Sequence, residues 1–292
     1  MSILFDLDGV FYQSDQAIEG GAEVASWVKE NNIAHLFITN TSSRPRNALI
    51  AKLASFGIQT DESHILTPAV ATANWLKAQP PEKNYAEKNN AGKNNAGKKN
   101  AGKNNAGKNN AGKKIALFIP EATQIEFADF SLWHEDTDAI AAVIMGDLGE
   151  QWTFQRLNQA FRLLMQQPHP LFIALGMTRY WQASDGLRLD VAPFIVALEH
   201  ATGIQAQVMG KPARAFYQSA LDILGSQPEK TIMVGDDIQS DIAGAQAAGM
   251  QGVLVKTGKY RPEDLQHGIQ PNAVLNSIRD LPDWWQHQSD LN

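Results

Sequence analysis

Near the start of the chain an apolar run, Ile3-Leu4-Phe5, stops on two aspartates one residue apart, Asp6 and Asp8. Carboxylates delivered to the carboxyl edge of a buried parallel strand lie where open α/β sheets bind ligands. Successive strand side chains point to opposite faces, so the two acids share one site only if the chain turns between them, a turn that Gly9 permits. One carboxylate can then act as a nucleophile while the other handles a proton, with a cation holding down the excess charge.

Three more segments could join that site. Thr39 ends a second apolar run, and Asn40-Thr41-Ser42-Ser43-Arg44 after it is rich in hydroxyls and backbone donors that could cradle an anion. The alternative use of such residues is to cap the next helix. In Val208-Met209-Gly210-Lys211-Pro212, the proline biases Lys211 away from helix and Gly210 allows close backbone approach. Lys211 could there neutralise a phosphate and nearby carboxylates; the alternative is an ordinary surface lysine. In Ile232-Met233-Val234-Gly235-Asp236-Asp237-Ile238-Gln239-Ser240-Asp241 a further apolar run meets acids. Paired carboxylates at two strand ends make a hard, oxygen-rich site that suits Mg2+. The alternative for this piece is a helix cap with a solvated first turn, the role assigned to Asp237.

The elements that must position these groups alternate. Strands are expected at residues 3–5, 35–39, 114–119, 139–145, 171–175, 231–234 and 252–255, and helices at 21–30, 46–56, 68–79, 191–200, 213–224 and 240–248. Helical spacing of Phe154, Leu157, Phe161, Leu164 and Met165 reads as a core face. This alternation argues for an α/β fold, a doubly wound parallel sheet (Rossmann-like) with helices on both faces. The chemistry-bearing segments lie in the first 45 residues and again from 210 onward. The middle therefore reads as an inserted α/β domain: 1–79 and 205–292 form the core, 80–204 the insertion.

Composition narrows the class. The 292 residues are 43% hydrophobic and 19% charged, ordinary for a globular protein with ample core. With no cysteine, disulfides, thiolate metal sites and cysteine nucleophiles are excluded; that suits a reducing compartment, and the cytoplasm is the expectation. No basic region followed by an apolar stretch opens the chain, so no signal peptide is read, and no apolar run reaches membrane-spanning length. The seven histidines have no zinc-type spacing. Residues 83–114 carry nine lysines against Glu87, which leaves +8 there and −14 on the remainder of a chain whose net charge is −6. The acidic body speaks against nucleic acid as the main partner. From about Lys88 to Lys113 an Asn-Asn-Ala-Gly-Lys unit repeats without an apolar face, and 83–114 reads as a flexible, solvated insertion in a surface loop. The alternative, a basic tether for nucleic acid or membrane, lacks interleaved aromatics.

Together and in this order, Asp6-Leu7-Asp8-Gly9-Val10, Thr39, Lys211 and Gly235-Asp236 through Asp241 resemble the four motifs of the haloacid dehalogenase-like hydrolases. The long stretch between the second and third matches the branch with a large inserted α/β cap, subclass IIA. Arg179-Tyr180-Trp181, Asp185 to Val191, Phe194 to Gly203 and Val255 to Arg261 resemble the phospholysine phosphohistidine inorganic pyrophosphate phosphatase group. The resemblance covers nearly the whole chain except the repeat.

The resemblance implies a mechanism. Asp6 would attack phosphorus in line to give an aspartyl-phosphate. Asp8 would protonate the leaving oxygen and then activate water, which needs a protonated Asp8, a state that a neighbouring negative charge favours. Mg2+ would be held by Asp6, the Asp8 carbonyl and Asp236; Thr39, Asn40 and Lys211 would bind phosphate; and Asp241 would orient Lys211 or a metal-bound water. Dehalogenases do not require an acid at the position of Asp8, and related ATPases carry threonine there, so phosphatases or mutases are favoured. A large cap restricts the partner to a small phosphorylated metabolite, with no nucleic acid and no membrane, and relatives commonly form homodimers through the cap. Arg179, Tyr180 and Asp185 are cap candidates for substrate contact, the alternative being packing or surface pairing. Two other readings stay open: a phosphotransferase or mutase, and a phosphate-sensing module without turnover, which would need neither the Asp6/Asp8 pair nor a cap.

Overall fold

The strand that carries Asp6 is buried at every residue, as a central strand covered on both faces must be. In this computed structural model, which describes residues 1–79, 114–134, 139–183, 185–266 and 268–289, the chain divides into two compact units, Met1–Ala71 with Met209–Asn292, and Thr72–Val208. The repeat read as a flexible insertion over 83–114 lies outside the described residues except for Lys114.

In chain order the first stretch supplies β1 (Ser2–Asp6), a short hairpin of β2 (Tyr12–Gln13) and β3 (Gln16–Ala17), α1 (Gly21–Glu30), β4 (His35–Ile38), α2 (Arg46–Ser55), β5 (Ile65–Leu66) and α3 (Pro68–Ala78). The middle supplies β6 (Lys114–Phe118), β7 (Ile140–Met145), α4 (Phe154–Leu164), β8 (Leu171–Ala174), β9 (Tyr180–Ala183), β10 (Gly186–Leu189), α5 (Ala192–Thr202) and β11 (Gln207–Val208). The last stretch supplies α6 (Arg214–Leu224), β12 (Thr231–Gly235), a π-helical turn Ile238–Ala243 leading into α7 (Gly244–Ala247), β13 (Gln251–Val255), β14 (Ala273–Leu275) and α8 (Leu281–Ser289).

In the first unit six parallel strands run in the order β14-β13-β12-β1-β4-β5. The chain moves outward from β1 through β4 to β5, then returns to β12 on the other side, so the topological switch point lies between β1 and β12. Phe5 pairs with Phe37 and with Val234 across the sheet, and Asp6 with Ile38. This register brings the ends of β1, β4 and β12 level. A Ser2–Thr231 side-chain hydrogen bond of 2.9 Å, across 229 positions of sequence, closes the opposite edge.

The helices follow from their apolar spacing. In α6, Phe216, Tyr217, Ala220 and Leu221 form one buried face, and Gly225 at φ 60° ends the helix in the left-handed region. Under the sheet, Phe5, Phe11 and Phe37 pack with centroids 5.2–5.8 Å apart, two of the three contacts edge to face.

The second unit has its own parallel sheet, β11-β8-β7-β6, and the antiparallel hairpin β9–β10. Its core gathers Val143, Phe172, Ile195 and Leu164. In α4 the expected core face holds at Leu164, which is buried, and at Leu157 and Phe161, which pack against the same core, but it is corrected at both ends: Phe154 is 84% exposed and Met165 is also exposed. The helix starts at Phe154 itself, capped by Thr153, so Phe154 lies ahead of the packed stripe that begins at Leu157. The expected helix 240–248 is also corrected, since its first half is the wider π turn. Among the described residues no helix is long and apolar enough to cross a membrane.

Removing an aromatic ring from a closed core costs about 3–5 kcal/mol. Phe37→Ala is therefore expected to lower the urea midpoint of the first unit by that equivalent, read by equilibrium unfolding; a midpoint close to wild type would contradict the packing described.

Candidate active site

Three strand ends, one loop and the π turn build the site. Asp6 is the last residue of β1, Thr39 follows β4, and Asp236 follows β12. All three are buried, as are Asp241 and Lys211. The Lys211 ammonium bridges two carboxylates, 2.5 Å from Asp6 Oδ1 and 2.6 Å from Asp241 Oδ1. Asp241 reaches it from the π turn, whose wider winding is seen in the Ile242 N–H bond to the Asp237 carbonyl. Tyr217 donates its hydroxyl to the main-chain oxygens of Ser240 (2.6 Å) and Asp241 (3.2 Å), satisfying carbonyls of that turn. Asp237 caps the turn, accepting the N–H groups of Gln239 and Ser240, the role expected of it.

Asn40 is tied to Lys211 rather than left open. Its side-chain amide donates to the Lys211 carbonyl at 3.0 Å, and its side-chain oxygen accepts the Lys211 N–H at 2.7 Å. That reciprocal pair commits the side chain to placing Lys211. Thr39 Oγ1 sits against Thr41, accepting its N–H at 3.1 Å. Asp8 is exposed, unlike the buried acids, and lies within the turn closed by the Phe11 N–H on the Leu7 carbonyl. In the second unit Arg179 lies over the Tyr180 ring at 5.7 Å, and Asp185 is held by Arg188 at 2.6 Å. All three are exposed residues of or beside the β9–β10 hairpin.

Asp6, Asp236 and Asp241 each offer an oxygen within 4.8 Å of the others. Three carboxylates against one ammonium leave an excess of two negative charges. Burial would push the Lys211 ammonium down, but Asp241 and Asp6 overcome this and hold it above its ordinary value. Burial, then the charges of Asp6 and Asp241, push Asp236 up to about 8. Burial lifts Asp241 as well, against the pull of Lys211. One oxygen of Asp236 accepts the Lys259 N–H at 2.6 Å; the other, Oδ1, is buried without a partner. An orphaned carboxylate oxygen amid surplus negative charge, in an all-oxygen set, fits a hard divalent cation such as Mg2+. Lys259 is not among the site residues read from the sequence, although it lies in the Val255 to Arg261 segment; it falls in the loop after β13, and that position is the available signal.

Residues 3–92 match the family model described as haloacid dehalogenase-like hydrolase, and residues 208–281 match one described as HAD-hydrolase-like. A phospholysine phosphohistidine inorganic pyrophosphate phosphatase from Homo sapiens is 34% identical over 99% of this chain and 95% of its own length. The chain belongs to the haloacid dehalogenase-like hydrolase family. A haloacid dehalogenase-like hydrolase domain-containing protein 2 from Bos taurus is 33% identical over 94% of this hydrolase and 90% of its own length. Among solved structures, a p-nitrophenyl phosphatase from Archaeoglobus fulgidus superposes with a TM-score of 0.77 at 28% identity, covering 97% of this chain and 98% of that one. The chain is thus a haloacid dehalogenase-like hydrolase of the phosphatase kind.

Asp236 binds its proton more tightly folded than unfolded. Its stabilising contribution is complete below the ordinary carboxylate value of about 4 and is lost as pH rises through about 8. In EDTA the melting temperature is expected to fall between about pH 5 and about pH 8. Asp236→Asn should flatten that slope, and Mg2+ should raise the melting temperature more at the higher pH. Thermal melts across this range check it; a slope unchanged in Asp236→Asn would refute the assignment.

Proposed function

We propose that this chain is a Mg2+-dependent phosphatase that hydrolyses a small phosphorylated substrate (a phosphomonoester, phosphoamide or pyrophosphate) through an aspartyl-phosphate on Asp6. The observation that carries the reading is the Lys211 bridge between Asp6 and Asp241, set at the switch point beside the unpartnered oxygen of Asp236. Names among the relatives support the substrate class: the Homo sapiens protein is named for phospholysine, phosphohistidine and pyrophosphate, and the Archaeoglobus fulgidus protein for p-nitrophenyl phosphate.

Each residue then has a task. An Asp6 oxygen forms a bond to phosphorus as the bond to the leaving atom breaks, and Asp8 gives that atom its proton. Asp8, now a carboxylate whose exposed position lets water approach, takes a proton from water. The water oxygen bonds to phosphorus, the Asp6–phosphorus bond breaks, and phosphate and Asp6 are released. Lys211 holds Asp6 in place and, with Thr39 and the Asn40 main chain, meets the phosphoryl oxygens. Asp6, the Asp8 carbonyl and Asp236 would hold Mg2+, which when bound neutralises these acids and draws charge from the phosphoryl oxygens. Selection of the substrate falls to the second unit, with Arg179, Tyr180 and Asp185 as candidates. A cytoplasmic setting accords with the absence of cysteine.

The β9–β10 hairpin supports pairing with a second copy of the chain. Leu187 and Leu189 alternate onto one face of β10 and are 69% and 61% exposed. Light scattering on a sizing column is expected to give a dimer for wild type and a monomer for Leu187→Lys with Leu189→Lys; two monomers would remove this part of the reading.

With p-nitrophenyl phosphate and Mg2+, phosphate release is expected from wild type, loss with EDTA and recovery on adding Mg2+. Asp6→Asn should lower turnover by a factor on the order of 10³ or more. Equal slow release by wild type and Asp6→Asn would overturn the proposal.

A further inference from the structure

After β13 the chain leaves the carboxyl edge of the sheet through Lys256-Thr257-Gly258-Lys259, and this loop is bound to both acid-bearing strand ends. Thr257 Oγ1 donates to the Gly9 carbonyl at 2.5 Å. The Lys259 N–H donates to Asp236 Oδ2 at 2.6 Å. Between them Gly258, at φ +59°, lies so close that a side-chain carbon on it would overlap the Asp236 carboxylate and the Gly9 Cα. Gly9, at φ +92°, meets the same carboxylate with equally little room. The Asp236 carboxylate is therefore packed against two bare glycine backbones. From the other direction the Gly9 N–H donates to the Tyr12 carbonyl at 2.7 Å.

These contacts have a consequence for the carboxylate. Unrestrained, it would turn about its terminal torsion and exchange its two oxygens. With Oδ2 on the Lys259 N–H and glycines against it, it presents one oxygen, Oδ1, and that is the buried atom without a partner. The Asp8 carbonyl belongs to the same peptide group as the Gly9 N–H, so the bond to Tyr12 fixes its direction. The Thr257 hydroxyl holds the peptide group after it.

We propose that Thr257 and Gly258 are positioning residues for the cation site, a clamp that sets Asp236 Oδ1 and the Asp8 carbonyl before the ion arrives. The inference rests on the phosphatase reading above. Groups that orient metal ligands typically contribute about 10- to 100-fold in metal affinity. Gly258 cannot be replaced by even a methyl group without moving Asp236, and Thr257 acts through a single hydroxyl.

The test is Mg2+ binding to the full chain by calorimetry, together with the Mg2+ concentration that half-saturates p-nitrophenyl phosphate turnover. Thr257→Val keeps the shape and removes the donor; it is expected to weaken Mg2+ binding about 10- to 100-fold and to move the half-saturating concentration in parallel. Thr257→Ser, which retains the hydroxyl, should restore both toward wild type, and Gly258→Ala should weaken binding at least as much as Thr257→Val. If wild type binds Mg2+ and turns over while Thr257→Val binds it equally well, the clamp is refuted and the phosphatase reading stands. The clamp is equally refuted if Thr257→Ser fails to rescue. If wild type itself neither binds Mg2+ nor releases phosphate, the phosphatase reading falls, and the clamp falls with it.

Discussion

One buried ammonium governs this site. Lys211 lies between Asp6 and Asp241, while Asp236 crowds the same space and is held by the Lys259 main-chain N–H. Without Lys211 three carboxylates would face one another away from water, and loss of one partner from a buried ion pair typically costs about 3–5 kcal/mol. With it the repulsion is reduced but not removed, and the remaining charge fits a hard divalent cation as a further partner.

The sheet withstands that repulsion because Asp6 and Asp236 are fixed at the ends of different strands. Parallel register brings the ends of β1, β4 and β12 level, and the strand order reverses between the two strands that carry Asp6 and Asp236. A helix or loop scaffold could relax by letting the acids drift apart. Here β1 is paired on both sides and buried along its length, so separation would mean breaking the ladder. The Asn40 pair with the Lys211 main chain adds a lateral tie across the mouth.

Asp6, Asp236 and Lys211 were legible in the sequence for a simple reason: apolar runs that stop abruptly on acids, or a lysine between glycine and proline, carry their meaning locally. The alternation of strands and helices was legible too, since burial on a sheet and on a helix leaves different periods. What the sequence hid depends on partners far along the chain. Nothing local shows that the Asn40 amide is engaged by a residue 171 positions away, or that Thr257 lies on Gly9. The widening of the helix at Asp241 escaped notice because an α-helix and a π turn share nearly the same apolar pattern; the difference is carried by a tyrosine hydroxyl from α6. Phe154 misled because period alone says which residues share a face, not where along the helix packing stops.

The pairing of β1 with β12 also dictates when the molecule can assemble. Ser2 lies beside Thr231, 229 positions later in the chain, so the innermost strand leaves a ribosome long before the partner for which it must wait. Until then Ile3, Leu4 and Phe5 have β4 on one side and an open edge on the other, a state in which a chain is vulnerable to adhesion with its neighbours. The nascent polypeptide therefore passes a long interval without its central seam, and the length of that interval is set by the topology.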